Sequence, residues 1–307
     1  MNILHLKYAV EIAGTGSLNK AAENLYMGQP NLSRAIKELE SSLGITIFER
    51  SAKGMVATAE GERFLRYARN ILAQIDEMEE VFRQGGEAKQ KFSISVPRAC
   101  YISAAFAEFS KTIDRSAPAE LVYKETNASR AVKNILEADY KLGIIRYAEN
   151  HDREFRKMLD EKGLIYETVT EFGYRLVMSE RHPLAPKEDV RFDDLKPYTE
   201  IAHADPYVPS LPSAAVIKEE LPDDIERRIF VFERASQLEL LSENSDTFMW
   251  VSPMPQKLLD RYSLVQKVCR DNTRVYKDVL IYRKDYHLSE LDKRFITELT
   301  RSRRQYL

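Results

Sequence analysis

Apolar residues near the start of the chain recur every three or four places. Leu6, Ala9, Ile12 and Ala13 do so over residues 4–13, Leu18, Ala21, Ala22 and Leu25 over the next stretch, and Leu32, Ile36, Leu39 and Leu43 after that. This spacing predicts three amphipathic helices. The glycines of GTGS (14–17) stop the first helix, and Ser17 is placed to cap the second, whose paired alanines permit close approach of a neighbour. The third opens at Gln29-Pro30, where the missing N–H of proline costs nothing. Residues 45–58 then change period. Ile45 and Ile47 precede a turn at residues 51–54, and Met55 and Val56 follow it, which predicts a hairpin with basic residues at its tip.

From Ala59 to about Gln84 the helical period returns in one long run, ended by Gly85 and Gly86. Its stripe is Phe64 or Leu65, Ala68, Leu72, Ile75, Met78 or Glu79, and Phe82, a pattern suited to pairing with another helix. Arg63, Arg66 and Arg69 lie in its first half, and Asp76, Glu77, Glu79 and Glu80 crowd its second. Beyond it, strand and helix patterns alternate: FSISV (92–96), a helix near 100–111, ELVYKE (120–125), a helix near 128–138 and LGIIRY (142–147). A second set contains YRLVMS (174–179), a strand near 198–203, RIFVF (228–232), a helix near 234–243 and FMWVS (248–252). LVQKVC (264–269), YKDVLIYR (276–283) and a helix over 288–303 close the chain. The βαβ order predicts mainly parallel sheets with helices on both faces.

Composition narrows this picture. A chain of 307 residues with 44% hydrophobic and 31% charged residues has room for two or three folded units. No apolar run reaches membrane-span length and the N-terminus does not read as a signal peptide, so a cytoplasmic protein is expected. Cys100 and Cys269 form neither a disulfide framework nor a metal-binding spacing, and a redox role for Cys100 rests only on its place at a helix start. The five histidines make no HxH or HExxH pattern, GTGSLNK lacks the glycines of a nucleotide loop, and no GxSxG elbow occurs. Neither an enzyme nor a metal or other cofactor is expected.

The net charge is nearly zero, with 46 basic and 48 acidic residues, but its distribution is uneven. No acid lies between Glu23 and Glu38, where Arg34 and Lys37 fall, and none lies in 51–59, which holds Lys53. On the third helix the core residues take one face, and Pro30, Ser33, Arg34, Lys37 and Ser41 take the other. Such a face suits the DNA major groove: Arg34 for a bidentate bond to guanine, Asn31 and Ser33 for base edges or phosphates, and Lys37 for a phosphate. A merely solvated helix face has the same appearance.

Residues 17–61 resemble the winged helix-turn-helix of the LysR-type transcriptional regulators. Ser17, Ala21, Ala22, Leu25, Gln29, Pro30, Leu32, Ser33, Ile36, Leu39, Glu40, Leu43, Gly44, Phe48, Arg50, Thr58 and Gly61 match its pattern, whereas Gly28 replaces the usual Ser or Thr and Ala57 the usual Leu. The resemblance implies an α/β multidomain protein. Its parts are a winged helix-turn-helix (1–58), a dimerising linker helix (59–88) and a two-subdomain module like periplasmic binding proteins (89–307). Subdomain I is expected at 92–165 plus 267–307 and subdomain II at 166–266. SERHPLA (179–185) and WVSP are weaker echoes, and ENSDTF (243–248) stands where the family has a Gly-rich turn. The expected DNA contacts are Ser17, Asn19, Lys20, Gln29, Pro30, Asn31, Ser33, Arg34, Lys37, Arg50, Lys53 and Thr58.

Ligands of such sheets bind beyond the carboxyl ends of the strands. That geometry nominates Arg98, Cys100, Tyr101, Ser103, Thr126, Asn127, Ser129, His203 and Asp205 for a small polar effector, with Arg98 poised for an anionic group because a cation at a helix start needs an anion beside it. Thr126 and Ser129 are equally suited to capping a helix. The expected partners are double-stranded DNA with a partly palindromic operator, further copies of the chain as a dimer or tetramer, the effector, and RNA polymerase, but no membrane. The alternative is a cytoplasmic small-molecule-binding protein without sequence-specific DNA binding, which leaves the wing and the long helix unexplained.

Overall fold

A computed structural model of the chain describes residues 2–51, 54–83, 89–220 and 225–307, in two compact units, Met1–Lys89 and Gln90–Leu307. The first unit has helices α1 (Ile3–Thr15), α2 (Leu18–Asn24) and α3 (Gln29–Leu43), a hairpin of β1 (Phe48–Ser51) and β2 (Gly54–Ala57), and the long helix α4 (Ala59–Arg83). The three predicted stripes meet in one core of Ala9, Ile12, Ala21, Ala22, Leu32, Ile36 and Leu39, closed by Ile47, Phe48 and Leu65. Asn2 caps α1, and Gly16 and Gly44 end α1 and α3 in the left-handed conformation. Gly28 starts α3 without a side-chain cap, as expected where Ser or Thr is missing.

The wing is fastened from three sides. Glu40 accepts hydrogen bonds from the backbone N–H groups of Ile47 (2.6 Å) and Phe48 (3.1 Å). A Cβ at Gly54 would lie 2.4 Å from the carbonyl oxygen of Gly16, and one at Gly61 would lie 2.0 Å from that of Ile47. Both close approaches therefore require glycine. Along α4, Leu65, Ala68 and Leu72 are buried, the last two in a cluster with Leu6 of α1, so the first half of the expected pairing stripe is used inside this unit. Ile75 and Met78 continue the stripe, and Met78 is 54% exposed. The side chains of Glu77, Glu80 and Phe82, and Gly85 and Gly86 altogether, lie outside the described residues.

The second unit runs β3 (Gln90–Val96), α5 (Cys100–Ser110), β4 (Ala119–Glu125), α6 (Ala128–Glu137), β5 (Leu142–Ala148), α7 (Asp152–Glu161), β6 (Leu164–Gly173), β7 (Arg175–Ser179), α8 (Phe192–Leu195), β8 (Thr199–His203), α9 (Ser213–Glu220), β9 (Arg228–Val231), α10 (Arg234–Glu243), β10 (Thr247–Val251), α11 (Gln256–Tyr262), β11 (Leu264–Lys267), β12 (Val275–Arg283) and α12 (Glu290–Tyr306). Two five-stranded sheets result, ordered β4-β3-β5-β12-β6 in lobe I and β11-β7-β10-β8-β9 in lobe II. In lobe I, α5 and α12 cover one face around Phe92, Phe109 and Phe295, and α6 and α7 cover the other around Ala131, Ile145 and Phe155.

Two expectations change here. First, both lobe boundaries move: β6 pairs with β12 along its whole length, so residues 166–173 belong to lobe I and the chain crosses at Tyr174 rather than near 166, while Lys267 pairs with β7 and Cys269 packs in lobe II, so the chain returns just before Val275 rather than at 267. Second, each sheet is mixed: β12 is antiparallel to β5 and β6, and β7 is antiparallel to β10 and β11. These are the two strands that arrive from the other lobe. Val275 and Tyr276 enter beside Gly173 and Ala148, the ends of β6 and β5, and Arg175 enters beside Val251, the end of β10. A strand entering where its neighbours leave must run against them. Both crossings thus sit at the carboxyl ends of the parallel strands, where a ligand cleft is expected.

Candidate functional sites

In the first unit the inward face of α3 is Leu32, Ile36 and Leu39, and its outward face exposes Pro30, Asn31, Arg34 and Lys37, with Gln29 and Ser33 half-buried. Arg34 and Lys37 have no ion-pair partner among the described residues. The acid one turn past Lys37, Glu40, has given its carboxylate to the wing. Two full positive charges therefore stand free on a helix face whose other side is fixed by core packing. Asn19, Lys20 and Arg50 are also exposed.

Two other expected DNA contacts are largely occupied with the protein itself. The Ser17 hydroxyl accepts from the Lys20 N–H at 3.4 Å as the cap of α2. The Thr58 hydroxyl donates to the carbonyl of Thr46 and accepts from the Gly61 N–H at 2.9 Å, starting α4. Lys53 lies outside the described residues.

In the second unit a cavity of about 570 Å³ lies between the lobes. Lobe I contributes Pro97, Arg98, Thr126, Asn127, Arg146 and Tyr147, and lobe II contributes Glu200, His203, Asp205, Tyr207 and Trp250. The crossings add Tyr174 and Arg274, with Tyr276 just inside β12. Each lobe also reaches into the core of the other. Cys100 packs with Val177, Ile201 and Met249 of lobe II, while Tyr207, Val208 and Val216, from the segment around α9, pack against Ile145 and Phe155 of lobe I.

Arg98 is the nominee whose role changes most. Its guanidinium bonds both carboxylate oxygens of Asp205, at 3.0 and 3.4 Å, and donates to the carbonyl of Phe232 at 3.1 Å. The anion that a cation at this helix start requires is supplied by the other lobe of the protein. Asn127 caps α6 by accepting from the Arg130 N–H and reaches across to the Asp205 carbonyl at 3.0 Å, so the cap is neither Thr126 nor Ser129. Thr126, buried, lines the cavity. His203 is held at 3.0 Å from the Val231 carbonyl, and burial together with the nearby Arg98 charge lowers its pKa to about 4, so its ring is neutral at ordinary pH.

Cys100, Tyr101, Ser103 and Ser129 do not line the cavity. Burial pushes the Cys100 thiol up rather than down, against the attraction of Arg234, so desolvation outweighs any helix-start effect and the thiolate reading loses its basis. Tyr101 points into the core, where its hydroxyl donates to Asp278 at 2.7 Å. The Ser103 hydroxyl accepts from Arg234, which also pairs with Glu125 at 3.2 Å, making a second polar bridge between the lobes.

Sequence patterning missed the part of the cavity built at the crossings. Arg146 and Asp278 face each other on β5 and β12, joined at 2.8 and 2.7 Å, and the guanidinium lies 4.6 Å from the centre of the Phe172 ring. Arg274 pairs with Glu219 (3.5 Å) and Glu220 (3.2 Å), and Tyr276 donates to Glu220 at 2.8 Å. Tyr174 and Tyr276 hold their rings 4.0 Å apart. Charged residues inside the strand patterns LGIIRY and YKDVLIYR were the available signal, since an Arg and an Asp in otherwise apolar strands need each other.

Among the described residues no helix is long and apolar enough to cross a membrane, and no group of three or more His, Cys, Asp or Glu could hold a metal ion. Residues 3–62 match the profile described as bacterial regulatory helix-turn-helix protein, lysR family. The transcriptional regulator AlsR of Bacillus subtilis (strain 168) is 28% identical over 201 residues, 64% of this chain and 62% of AlsR, so the match spans less than two thirds of that relative. Over the whole chain the fold is similar to full-length LysG from Corynebacterium glutamicum (TM-score 0.63, 14% identity, covering 100% of this chain and 99% of LysG). It is likewise similar to full-length CbnR in complex with its target DNA (TM-score 0.53, 18% identity, covering 98% and 100%). At these identities the structural likeness establishes the fold alone.

Proposed function

We propose that this chain is a LysR-type regulator, a sequence-specific DNA-binding transcriptional regulator controlled by a small molecule bound between the lobes of its second unit, a reading supported by the match of residues 3–62 to the lysR-family helix-turn-helix. The observation that carries this is the outward face of α3, where exposed Arg34 and Lys37 stand over a fixed core without ion-pair partners among the described residues. Arg34 reads a base edge there, and Lys37, Lys20 and Arg50 hold phosphates. The protein works by binding, not catalysis, in the cytoplasm where its DNA is. Ile75 and Met78 of α4, the part of the stripe beyond its contact with α1, pair with the same helix of a second copy. Two heads related by a dyad then read a partly palindromic operator. CbnR has been solved with target DNA and LysG with a bound effector, which agrees with this assignment of roles.

Effector in the cleft shifts the balance between lobe arrangements, and through it the spacing of the paired heads. The test is fluorescence anisotropy of the full chain on DNA from directly upstream of its own gene, with unrelated competitor DNA and varied salt. Tight binding that survives the competitor is expected. Weak binding to both DNAs, erased by salt, in a search extended to pull-down of genomic fragments, would favour a ligand-binding protein that does not read sequence.

A further inference from the structure

Three arginines line the cleft, and each already has its counter-charge: Arg98 has Asp205 at 3.0 Å, Arg146 has Asp278 at 2.7 Å, and Arg274 has Glu219 and Glu220 at 3.5 and 3.2 Å. A ligand carboxylate at any of these guanidinium groups would compete with a carboxylate that the fold already holds there, or add a second negative charge beside it. A carboxylate displaced in this way would be left without its counter-charge, which is costly.

Carboxylates, in contrast, are in surplus. Glu200, Asp205, Glu219, Glu220 and Asp271 line the cavity, and Arg228 neutralises Glu200 at 2.8 Å from outside it. With Asp278 counted as the partner of Arg146, six carboxylates face four guanidinium groups among the described residues. Glu219 and Glu220 share the single Arg274, their other bonds coming from the neutral donors Asn150 at 2.9 Å and Tyr276 at 2.8 Å, and Asp271, exposed at the rim, accepts from the backbone N–H of Phe192. His151 lies 3.1 Å from Glu219. His203 is neutral. The rest of the wall is aromatic: Tyr147, Tyr174, Phe192, Tyr207, Trp250 and Tyr276 all line the cavity. Ring faces attract cations and repel anions, and the attraction grows when water is excluded.

We infer that the effector is a small organic cation, an amine or quaternary ammonium carried on an aromatic or aliphatic body, and that its charge is met by Glu219 and Glu220 while the aromatic wall holds its body. This reverses the anionic effector expected from Arg98 and rests on the reading of the cleft as the effector site. The cavity, at about 570 Å³, falls in the range of small-molecule sites.

The experiment compares probes of one shape and different charge on the purified full chain: phenethylammonium and benzyltrimethylammonium, 3-phenylpropionate, and neutral 2-phenylethanol. Isothermal titration and the rise in melting temperature report binding. Either ammonium ion is expected to bind at least about tenfold more tightly than the carboxylate and the alcohol, and Glu220→Gln should weaken it about tenfold. Glu219→Gln serves as the second variant if Glu220→Gln melts far below the parent without ligand. Tighter binding of 3-phenylpropionate, or equal binding of charged and neutral probes, overturns the cation inference and leaves the cleft as a small-molecule site. No response to any of the four at millimolar concentration overturns both.

Discussion

Arginine occurs in two settings in this molecule. On α3, Arg34 is exposed beside Lys37 with no ion pair among the described residues, whereas in the cleft Arg98, Arg146 and Arg274 are each matched to carboxylates within 3.5 Å. The first setting stores an unmet attraction for anions and costs little, because water solvates the charge. The second has its charge already balanced by the fold and holds the lobes or the sheet together instead. A cation therefore signals an anionic ligand only where the fold has not already supplied one.

The largest effect should come from breaking the most buried pair. Asp278 is fully buried, bound by Arg146 at two points and by the Tyr101 hydroxyl. Asp278→Ala leaves a guanidinium without its counter-charge and should cost about 3–5 kcal/mol in chemical denaturation of the second unit. A loss under about 1 kcal/mol would mean water reaches Arg146, and the contrast between the settings would weaken.

Next in size is an acid limb set by the cleft. The pKa of His203 is lowered from 6.5 to about 4 by burial and by Arg98. Above pH 6.5 the ring is neutral whether the chain is folded or not. Between 6.5 and about 4 the unfolded chain takes up a proton that the folded one refuses, so stability falls with pH by up to about 3 kcal/mol and this contribution levels off below that window. His203→Gln should flatten that part of the stability–pH curve. An unchanged slope from equilibrium denaturation at stepped pH would place the ring in contact with solvent.

On the exposed side, Arg34→Ala should reduce discrimination between the operator and single-base variants about ten- to hundredfold at one base position, read by competition anisotropy. Folding should be unaffected, because the side chain supports nothing in the core.

How much of this was legible in the sequence follows the same division. The helices of the first unit, the wing and the outward face of α3 were read from local periodicity, because each amphipathic stripe packs against its chain neighbours. The strands β3, β4 and β5 were legible for the same reason. What failed was long-range. The change of lobe at Tyr174 instead of 166, and the antiparallel run of β7 and β12, depend on where a strand enters a sheet, and no local pattern encodes this. Arg98 was read correctly as a cation in need of an anion, but the anion is Asp205, far along the chain. Tyr101 and Ser103 lie on α5 three and five residues past Arg98, yet helix geometry turns them to the core and to Arg234 instead of the cavity. Adjacency in sequence located the cleft wall but not which side chains compose it.

The smallest effect is the most diagnostic of the comparison. Lys37 differs from the cleft arginines in having no carboxylate to release, so binding a phosphate there displaces only water and counterions. Lys37→Ala should therefore weaken binding to operator and to unrelated DNA by the same modest factor, with the ratio between them unchanged. It should also lower the slope of log affinity against log salt by about 0.9, the contribution of one phosphate contact. Measured on both DNAs, an unchanged slope would mean that Lys37 stands clear of the backbone and that its exposed charge is only solvated. A slope reduced on the operator alone would mean that Lys37 engages its phosphate only when the head is seated in register, so that an unpaired cation on α3 contributes to sequence choice through position as well as charge.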